Sequence, residues 1–347
     1  LWLKMGFDEE IIQQQKEPNS ICFRMHDSYN ETLVGKTICR ISSLFNRHSN
    51  LMIITPYLPK HFQIKFWLQQ FSFPQIWSKR RKPIVSQESS NVREKLKKEL
   101  ITKTKSKFQT TCVDLLCDVI PICYLEGFDE VKANATALGF PKNPEVIFTS
   151  NNFDTDEEFK SWVVDKLKKG SKYVIGQHGS NYGVDILGSP FVEEITADRF
   201  IAWGAHTPYP NSKGGFIFTF PVEGMLRQNK RGNILLVQLA PPFQRYHYDA
   251  HYEYSIYRSK LETFYKELPS TIRRDLAIRL PVLSATSGWM DDERWREIDP
   301  MIKIDNFDRS FAKAVSESRL VIFTYFSTGV LECMCQGVPI ICFWRQN

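Results

Sequence analysis

The chain lacks any apolar run of 18 or more residues, so hydropathy offers no membrane-spanning helix. It also lacks Gly-x-Gly-x-x-Gly and a Walker loop, which leaves a dinucleotide-dependent dehydrogenase or a P-loop kinase without motif support. No leader-like pattern opens it, although a start at Leu1 rather than Met leaves room for an upstream segment. Cysteines number only eight, and Cys333-x-Cys335 lacks the two-residue spacer of a zinc knuckle or redox pair. Cys112, Cys117, Cys123, Cys333, Cys335 and Cys342 lie in apolar surroundings, where a free thiol behaves as a small hydrophobe. Reduced, structural thiols and no leader point to the cytoplasm, with a peripheral position at the inner membrane face as a further expectation.

What is present begins with size: 347 residues, 42% of them hydrophobic, exceed what one core organises, so two domains are expected. The formal charge of +6 is local rather than spread. Lys79-Arg80-Arg81-Lys82 and the segment from Arg93 to Lys107 together hold 11 Lys or Arg against two Glu. With no zinc-finger spacing or aromatic ribonucleoprotein motif beside them, nucleic acid is not the expected partner. A solvated helix and linker, or contact with an anionic membrane surface or a lipid-pyrophosphate acceptor, accounts for the charge.

Three regions follow. Residues 1–110 read as an irregular extension with a basic linker, whose clearest element is the strand-like Leu51-Met-Ile-Ile-Thr55. Residues 111–228 read as a first α/β domain with buried strands at Val146–Thr149, Tyr173–Ile175 and Phe200–Trp203. Its helix at Asp156–Lys169 opens on acidic residues and closes on lysines and Gly170. Residues 229–347 read as a second domain: strand Ile234–Leu239, helix Ser255–Glu267, strand Leu276–Leu280, and a closing β-α-β unit. That last unit is a buried strand (Leu320–Thr324), a polar turn (Ser327, Thr328, Gly329), a helix (Val330–Cys335) and a second strand (Ile340–Phe343). A helix start at the carboxyl end of a parallel sheet offers unpaired N–H groups and a positive dipole end, which suits a phosphate.

Ser-Thr-Gly-x-x-Glu followed by Gly-x-Pro and a hydrophobic strand resembles the donor-nucleotide half of GT-B glycosyltransferases. The chain is most similar to a bacterial family of surface-antigen transferases often found in O-antigen loci, through Gln177-His178-Gly179-Ser180-Asn181-Tyr182-Gly183, Asp198-Arg199-Phe200 with Trp203-Gly204, and Ser327-Thr328-Gly329-Val330-Leu331-Glu332. The resemblance runs from about Leu115 to the end. It implies an α/β, GT-B-like fold: two Rossmann-like domains facing a central cleft. The implied activity is metal-independent transfer of a sugar from a nucleotide donor, with a CMP-linked acidic sugar such as Kdo as one candidate, to a surface polysaccharide or lipid-linked glycan. No cofactor beyond that co-substrate is expected. Leu280-Pro281 stands where many CMP- and CDP-using relatives carry His-Pro, which leaves the donor base open.

Glycosyl transfer needs a base for the acceptor hydroxyl or a nucleophile for the sugar. His178 follows a strand and is flanked by glycines, so it can shuttle a proton or bind phosphate. Carboxylate candidates are Glu126, which reads as ending a strand in the apolar stretch Val119–Leu125, Glu193, Glu194 and Asp198, with Asp198 favoured as the partner of His178. The donor set comprises Gly176, Gln177, Gly179, Arg279, Ser327, Thr328, Gly329 and Glu332. The aromatic run Tyr246–Tyr254 reads either as a sugar-stacking surface or as a packed loop. Two other functions fit the same sequence: a glycerophosphotransferase using a CDP-polyol, and a non-catalytic nucleotide or glycan-binding module.

Overall fold

A computed structural model describes residues 33–69, 73–77, 86–183, 190–204, 209–217, 227–239, 248–280, 289–305 and 309–343. The run Lys79–Lys82 and residues Tyr246 and His247 lie outside them. The chain divides into two compact units, Leu1–His178 with Pro190–Gly215, and Gly179–Ser189 with Phe216–Asn347.

Unit 1 is built on a parallel sheet of β1 (Leu51–Ile54), β2 (Val146–Thr149), β3 (Lys172–Gly176), β4 (Arg199–Trp203) and β5 (Ser212–Gly215), side by side in chain order. Its helices are α1 (Leu33–Asn46), α2 (Lys60–Gln69), α3 (Ser90–Ile101), α4 (Lys107–Val119), α5 (Phe128–Thr136), the single turn α6 (Asn152–Thr155), α7 (Glu157–Leu167) and α8 (Val192–Thr196). One face is the core: Met52, Ile147, Ile175 and Phe200 are inaccessible, and Phe159, Trp162 and Val163 of α7 are buried, with Phe140 against the Phe159 and Trp162 rings. Asp156 fixes the start of α7 by accepting from the Phe159 N–H at 3.0 Å, so it is the cap itself, where the sequence reads as capped by Asp154 or Thr155 with Asp156 in the first turn. The register Leu51↔Val146 builds β1 into this sheet, so the described part of the 1–110 segment belongs to unit 1 instead of standing apart as an extension.

The charged segment after residue 86 is likewise structural in part. Arg93 of α3 is buried, and its guanidinium donates to the Cys117 and Ile120 carbonyls at 3.0 and 2.9 Å, holding α3 against the end of α4. Its Nε and Nη2 also grip Glu126 through both carboxylate oxygens at 2.8 and 3.1 Å.

Unit 2 has a second parallel five-stranded sheet in the order β10-β9-β6-β7-β8: β6 (Asn233–Val237), β7 (Leu276–Arg279), β8 (Lys303–Asp305), β9 (Ser318–Phe323) and β10 (Ile340–Cys342). Helices α9 (Tyr248–Glu267), α10 (Ser270–Asp275), α11 (Asp291–Ile298), α12 (Phe311–Ser316) and α13 (Thr328–Cys335) complete it. Strands buried on both faces read as continuous apolar runs, and two hydrophobic clusters result: one around Leu235, Val321 and Phe323 under α12 and α13, the other around Leu236, Ile278 and Tyr265 under α9 and α11. Thus the molecule is α/β with two Rossmann-like parallel sheets. None of the described helices is long and apolar enough to cross a membrane.

Candidate functional site

In unit 1 the chemistry collects at the carboxyl ends of the strands. β1 ends at Ile54, and Thr55 and Tyr57 then take positive φ angles of 45° and 55° although neither is glycine. Such conformations cost about 1–3 kcal/mol each and persist only where surrounding contacts enforce them. Here Ser150, at the end of β2, donates its N–H to the Thr55 carbonyl at 3.1 Å and its hydroxyl to the Pro56 carbonyl at 3.3 Å. Thr149 Oγ1 accepts from the Asn151 and Asn152 N–H groups, shaping the turn that carries Phe153 and Asp154. At the end of β3, Gln177 extends the ladder: its N–H reaches the Ile201 carbonyl at 2.9 Å, and its side-chain oxygen accepts from the Trp203 N–H at 2.7 Å.

His178 emerges from that clamp between two rings, Tyr57 at 6.4 Å (26°) and Phe153 at 5.7 Å (59°). Burial holds its pKa below the ordinary 6.5, against the opposing pull of the Glu193 and Asp154 carboxylates. The imidazole is therefore neutral near pH 7 and can take a proton. Around it lies an acidic, aromatic-walled site formed by side chains from the ends of β1, β2 and β3 and from α8.

The expected carboxylate partner changes. Asp198 precedes β4, and its carboxylate accepts from the Tyr173 N–H at 2.9 Å and from Lys172 at 3.2 Å, at the amino end of β3. His178 lies five residues further along that strand, about 16 Å at 3.3 Å per residue, so the sheet keeps the two apart. Glu126 does not end a strand: it follows a 3-10 turn at Ile122–Tyr124, and the Arg93 grip together with the Ser89 N–H at 3.0 Å makes it a structural anchor. Glu194 is inaccessible; one oxygen accepts from the Phe191 N–H at 2.9 Å at the start of α8, and the other has no hydrogen-bond partner among the described residues. Glu193, its neighbour, acts on His178, as Asp154 does.

Glu193 was one of several acids in the sequence; Tyr57, Phe153 and Asp154 carried no signal beyond lying just after strands. The expectation of metal independence takes the sequence to hold no Asp-x-Asp motif, yet Asp154-Thr155-Asp156 has that spacing. Asp156 is engaged, however, in capping α7 and in accepting from Asn152 at 2.8 Å.

In unit 2 the strand order reverses beside β6, and parallel sheets bind ligands outside the carboxyl ends at such a point. β9 ends at Phe323, and the Ser327-Thr328-Gly329 turn opens α13 there. Ser327 has the extended backbone of a cap (φ −139°, ψ 168°) but its hydroxyl does not cap the helix and instead meets that of Tyr325. The Ser327 side chain thus leaves the α13 start uncapped, and of its first amides the Val330 N–H donates to the Ser327 carbonyl at 3.0 Å. A Cβ on Gly329 would stand 3.0 Å from the Phe311 ring and 3.1 Å from the Phe323 ring, so glycine is what lets the helix start sit this close to the strand. Glu332 lies half-buried one turn further on.

The seam between β6 and β9 is stitched by Tyr257, whose hydroxyl lies 2.6 Å from Thr324 Oγ1 and accepts from the Leu239 N–H at 2.9 Å. Behind it, Gln238 accepts from Trp295 Nε1 (2.7 Å) and donates to the Tyr254 hydroxyl (3.1 Å), which donates to Asp291 (2.7 Å). Tyr254 is therefore a buried network member and not a sugar-stacking surface. Arg279 is also internal: 3% exposed, it donates to Asp305 at 2.8 Å and to the Arg309 carbonyl at 3.2 Å, so it is not offered to a phosphate.

The site residues therefore fall in two sets, His178 with Gly176 and Gln177 on unit 1's edge, and Ser327, Thr328, Gly329 and Glu332 on unit 2's; Gly179 is the first residue of the 179–189 segment that belongs to unit 2. No curated protein matches the chain. A family model described as LIC12162 family transferase matches residues 2–347, and the chain belongs to that family.

Proposed function

For a member of a transferase family, we propose glycosyl transfer of the GT-B type, from a nucleotide-linked sugar to a surface polysaccharide or lipid-linked glycan. The observation that carries this reading is the start of α13, uncapped by the Ser327 side chain, at the reversal point of unit 2's sheet, a strand-turn-helix with two hydroxyls where a diphosphate or phosphate group would find N–H donors and a positive dipole end. Glu332 would face the nucleotide ribose. Neutral His178, with Glu193 and Asp154 beside it, would take the proton of the acceptor hydroxyl as it attacks the anomeric carbon. The leaving phosphate would be stabilised by the helix start and side chains, without a divalent ion. CMP-linked acidic sugars are the first donors to try.

A thermal-shift panel of CMP, CDP, UDP, GDP and their sugars tests the donor half. One nucleotide should raise the unfolding temperature of the wild type and lose that effect in Ser327→Ala/Thr328→Ala. A panel with no shift, or a shift kept by that variant, removes the nucleotide from this turn. Transfer abolished by EDTA and restored by magnesium would remove the metal-free mechanism.

A further inference from the structure

Unit 1 carries a groove that the reaction described above does not use. It has a volume of about 1030 Å³ and runs between α5 and α7. Its floor is apolar: Phe140 and Trp162 meet edge to face at 5.2 Å, beside Cys123, Val131 and Ala135, all buried. The walls differ sharply from the floor. Seven of the lining side chains are Lys or Arg and two are Glu or Asp.

The cations are not equivalent. Lys160, Lys166 and Lys169 pair with Glu157 or Asp165, and Lys132 with Asp129. Arg47, Lys142 and Lys168 have no acidic partner among the described residues. The Lys142 N–H donates to the Arg47 carbonyl at 3.0 Å, and the α7 end that Lys168 caps is tied to the chain just after Lys142, Ser171 donating its hydroxyl to the Pro144 carbonyl at 2.6 Å and Lys172 its N–H to the Glu145 carbonyl at 2.7 Å, so the three belong to one end of the groove. Complementing the α7 dipole accounts for Lys168 alone. Neither Arg47 nor Lys142 lies in a helix. At the other end, Lys160 donates to the Asp154 carbonyl at 3.2 Å and to the Tyr124 hydroxyl at 3.4 Å, and Asp154 is one of the two carboxylates acting on His178.

We propose that this groove binds one molecule of a lipid phosphate, its chain along the Phe140–Trp162 floor and its phosphate at Arg47, Lys142 and Lys168. The pairing of an apolar trough with unpaired cations at one end matches an anionic amphiphile in both parts. A concave site of this volume suits a single ligand, whereas a bilayer surface would need a protruding apolar face. The inference deepens the acceptor half of the proposed function, since a lipid-linked acceptor carries such an anchor. It is tested by binding alone, so its failure leaves the donor site standing, and an empty nucleotide panel leaves the groove standing.

The experiment is calorimetry on the full chain with farnesyl phosphate below its micellar concentration, with inorganic phosphate, and with farnesol, beside flotation with phosphatidylcholine vesicles with and without phosphatidylglycerol. Saturable binding of farnesyl phosphate, with neither inorganic phosphate nor farnesol matching it, is expected. Arg47→Ala/Lys142→Ala/Lys168→Ala should weaken that binding on the order of a hundredfold, each surface cation contributing about fivefold. Its unfolding temperature should stay near wild type, because all three side chains are exposed. Absence of farnesyl phosphate binding, binding only to anionic vesicles, or undiminished binding by the triple variant overturns the proposal.

Discussion

The two sheets have five parallel strands each and nearly the same strand lengths, yet they prepare their carboxyl edges in opposite ways. Unit 2 reverses its strand order beside β6, so topology opens a crevice and little local distortion is needed: a turn, a glycine against two phenylalanine rings, and a free helix start. Unit 1 lays its strands down in chain order and has no such reversal among the described residues. Its edge is shaped instead by strain, with Thr55 and Tyr57 forced to positive φ by bonds from Ser150, and by a histidine held between rings. A crevice given by topology tolerates loop changes; a site built from strained residues depends on each bond that holds them. Both units share one device, a buried arginine clasping a carboxylate: Arg93 with Glu126, and Arg279 with Asp305.

Breaking those clasps should give the largest effects. Glu126→Ala and Arg279→Ala each remove the buried partner of a charge that then keeps only a more exposed one, Glu88 at 3.4 Å from Arg93 and Arg309 at 3.2 Å from Asp305, and should cost up to about 3–5 kcal/mol. Hydrogen exchange should place the first loss in α3 and α4, which the Arg93 bonds join, and the second in β7 and β8. Retained urea stability in Glu126→Ala with collapsed turnover would return Glu126 to the chemistry. Next comes His178→Ala, expected to lower turnover by about 10²-fold or more, the scale of lost acid–base catalysis, with donor affinity unchanged. Steady-state kinetics beside calorimetry decides it, and near-wild-type turnover would move the reacting base elsewhere.

A smaller change is expected in unit 2. Ser327→Ala with Thr328→Ala should weaken nucleotide binding by about 1–3 kcal/mol, the range for hydrogen bonds to charged groups, while the rings that hold Gly329 keep α13 in place. The smallest signal concerns pH. The folded value of His178 lies below 6.5, so between that value and 6.5 the unfolded chain binds more protons and stability falls as pH drops through this window. The acid limb of the rate profile should lie below 6.5. Glu193→Gln removes a charge that raises the histidine's pKa and should move the limb to still lower pH; Asp198→Asn should leave it where it is. A limb shifted by Asp198→Asn and not by Glu193→Gln would reverse the assignment.

Much of the frame was legible in the sequence, because buried parallel strands and capped helices leave periodic and compositional marks. Val146–Thr149 is found where it was read, and the 276–280 and 340–343 strands differ by one terminal residue. The acids Asp156, Glu157 and Glu158 announced their helix, although the cap falls on Asp156 and not on Asp154 or Thr155. The failures have a common physical origin. Val119–Leu125 is apolar enough for a strand, but Pro121 and the Arg93 bonds to the carbonyls of Cys117 and Ile120 turn it into a helix end and a 3-10 turn. Arg93 itself looked like one cation in a solvated run, and nothing local marks which charge in a run is buried. Asp198 was placed near His178 because both adjoin strands; adjacency does not say which end of the sheet is meant. Glu193 could have been separated from Glu194 only by knowing which face of the short α8 looks toward β3.

The parallel pairing of β1 with β2 has a consequence for how the protein is made. Asn50 and Glu145, which meet beside that pairing, are 95 residues apart, whereas Tyr173 and Asp198, which meet between β3 and β4, are 25 apart. At roughly 0.6 kcal/mol per doubling of loop length, closing the longer loop costs about 1.2 kcal/mol more, before any loss from competing pairings. β2, β3 and β4 should therefore assemble first and β1 dock onto a formed sheet. During synthesis, Leu51-Met52-Ile53-Ile54 leaves the ribosome long before its partner exists. The helices of residues 90–136 can form in the interval, but the apolar strand waits with its backbone unpaired, which makes it the segment of this chain most exposed to wrong partners.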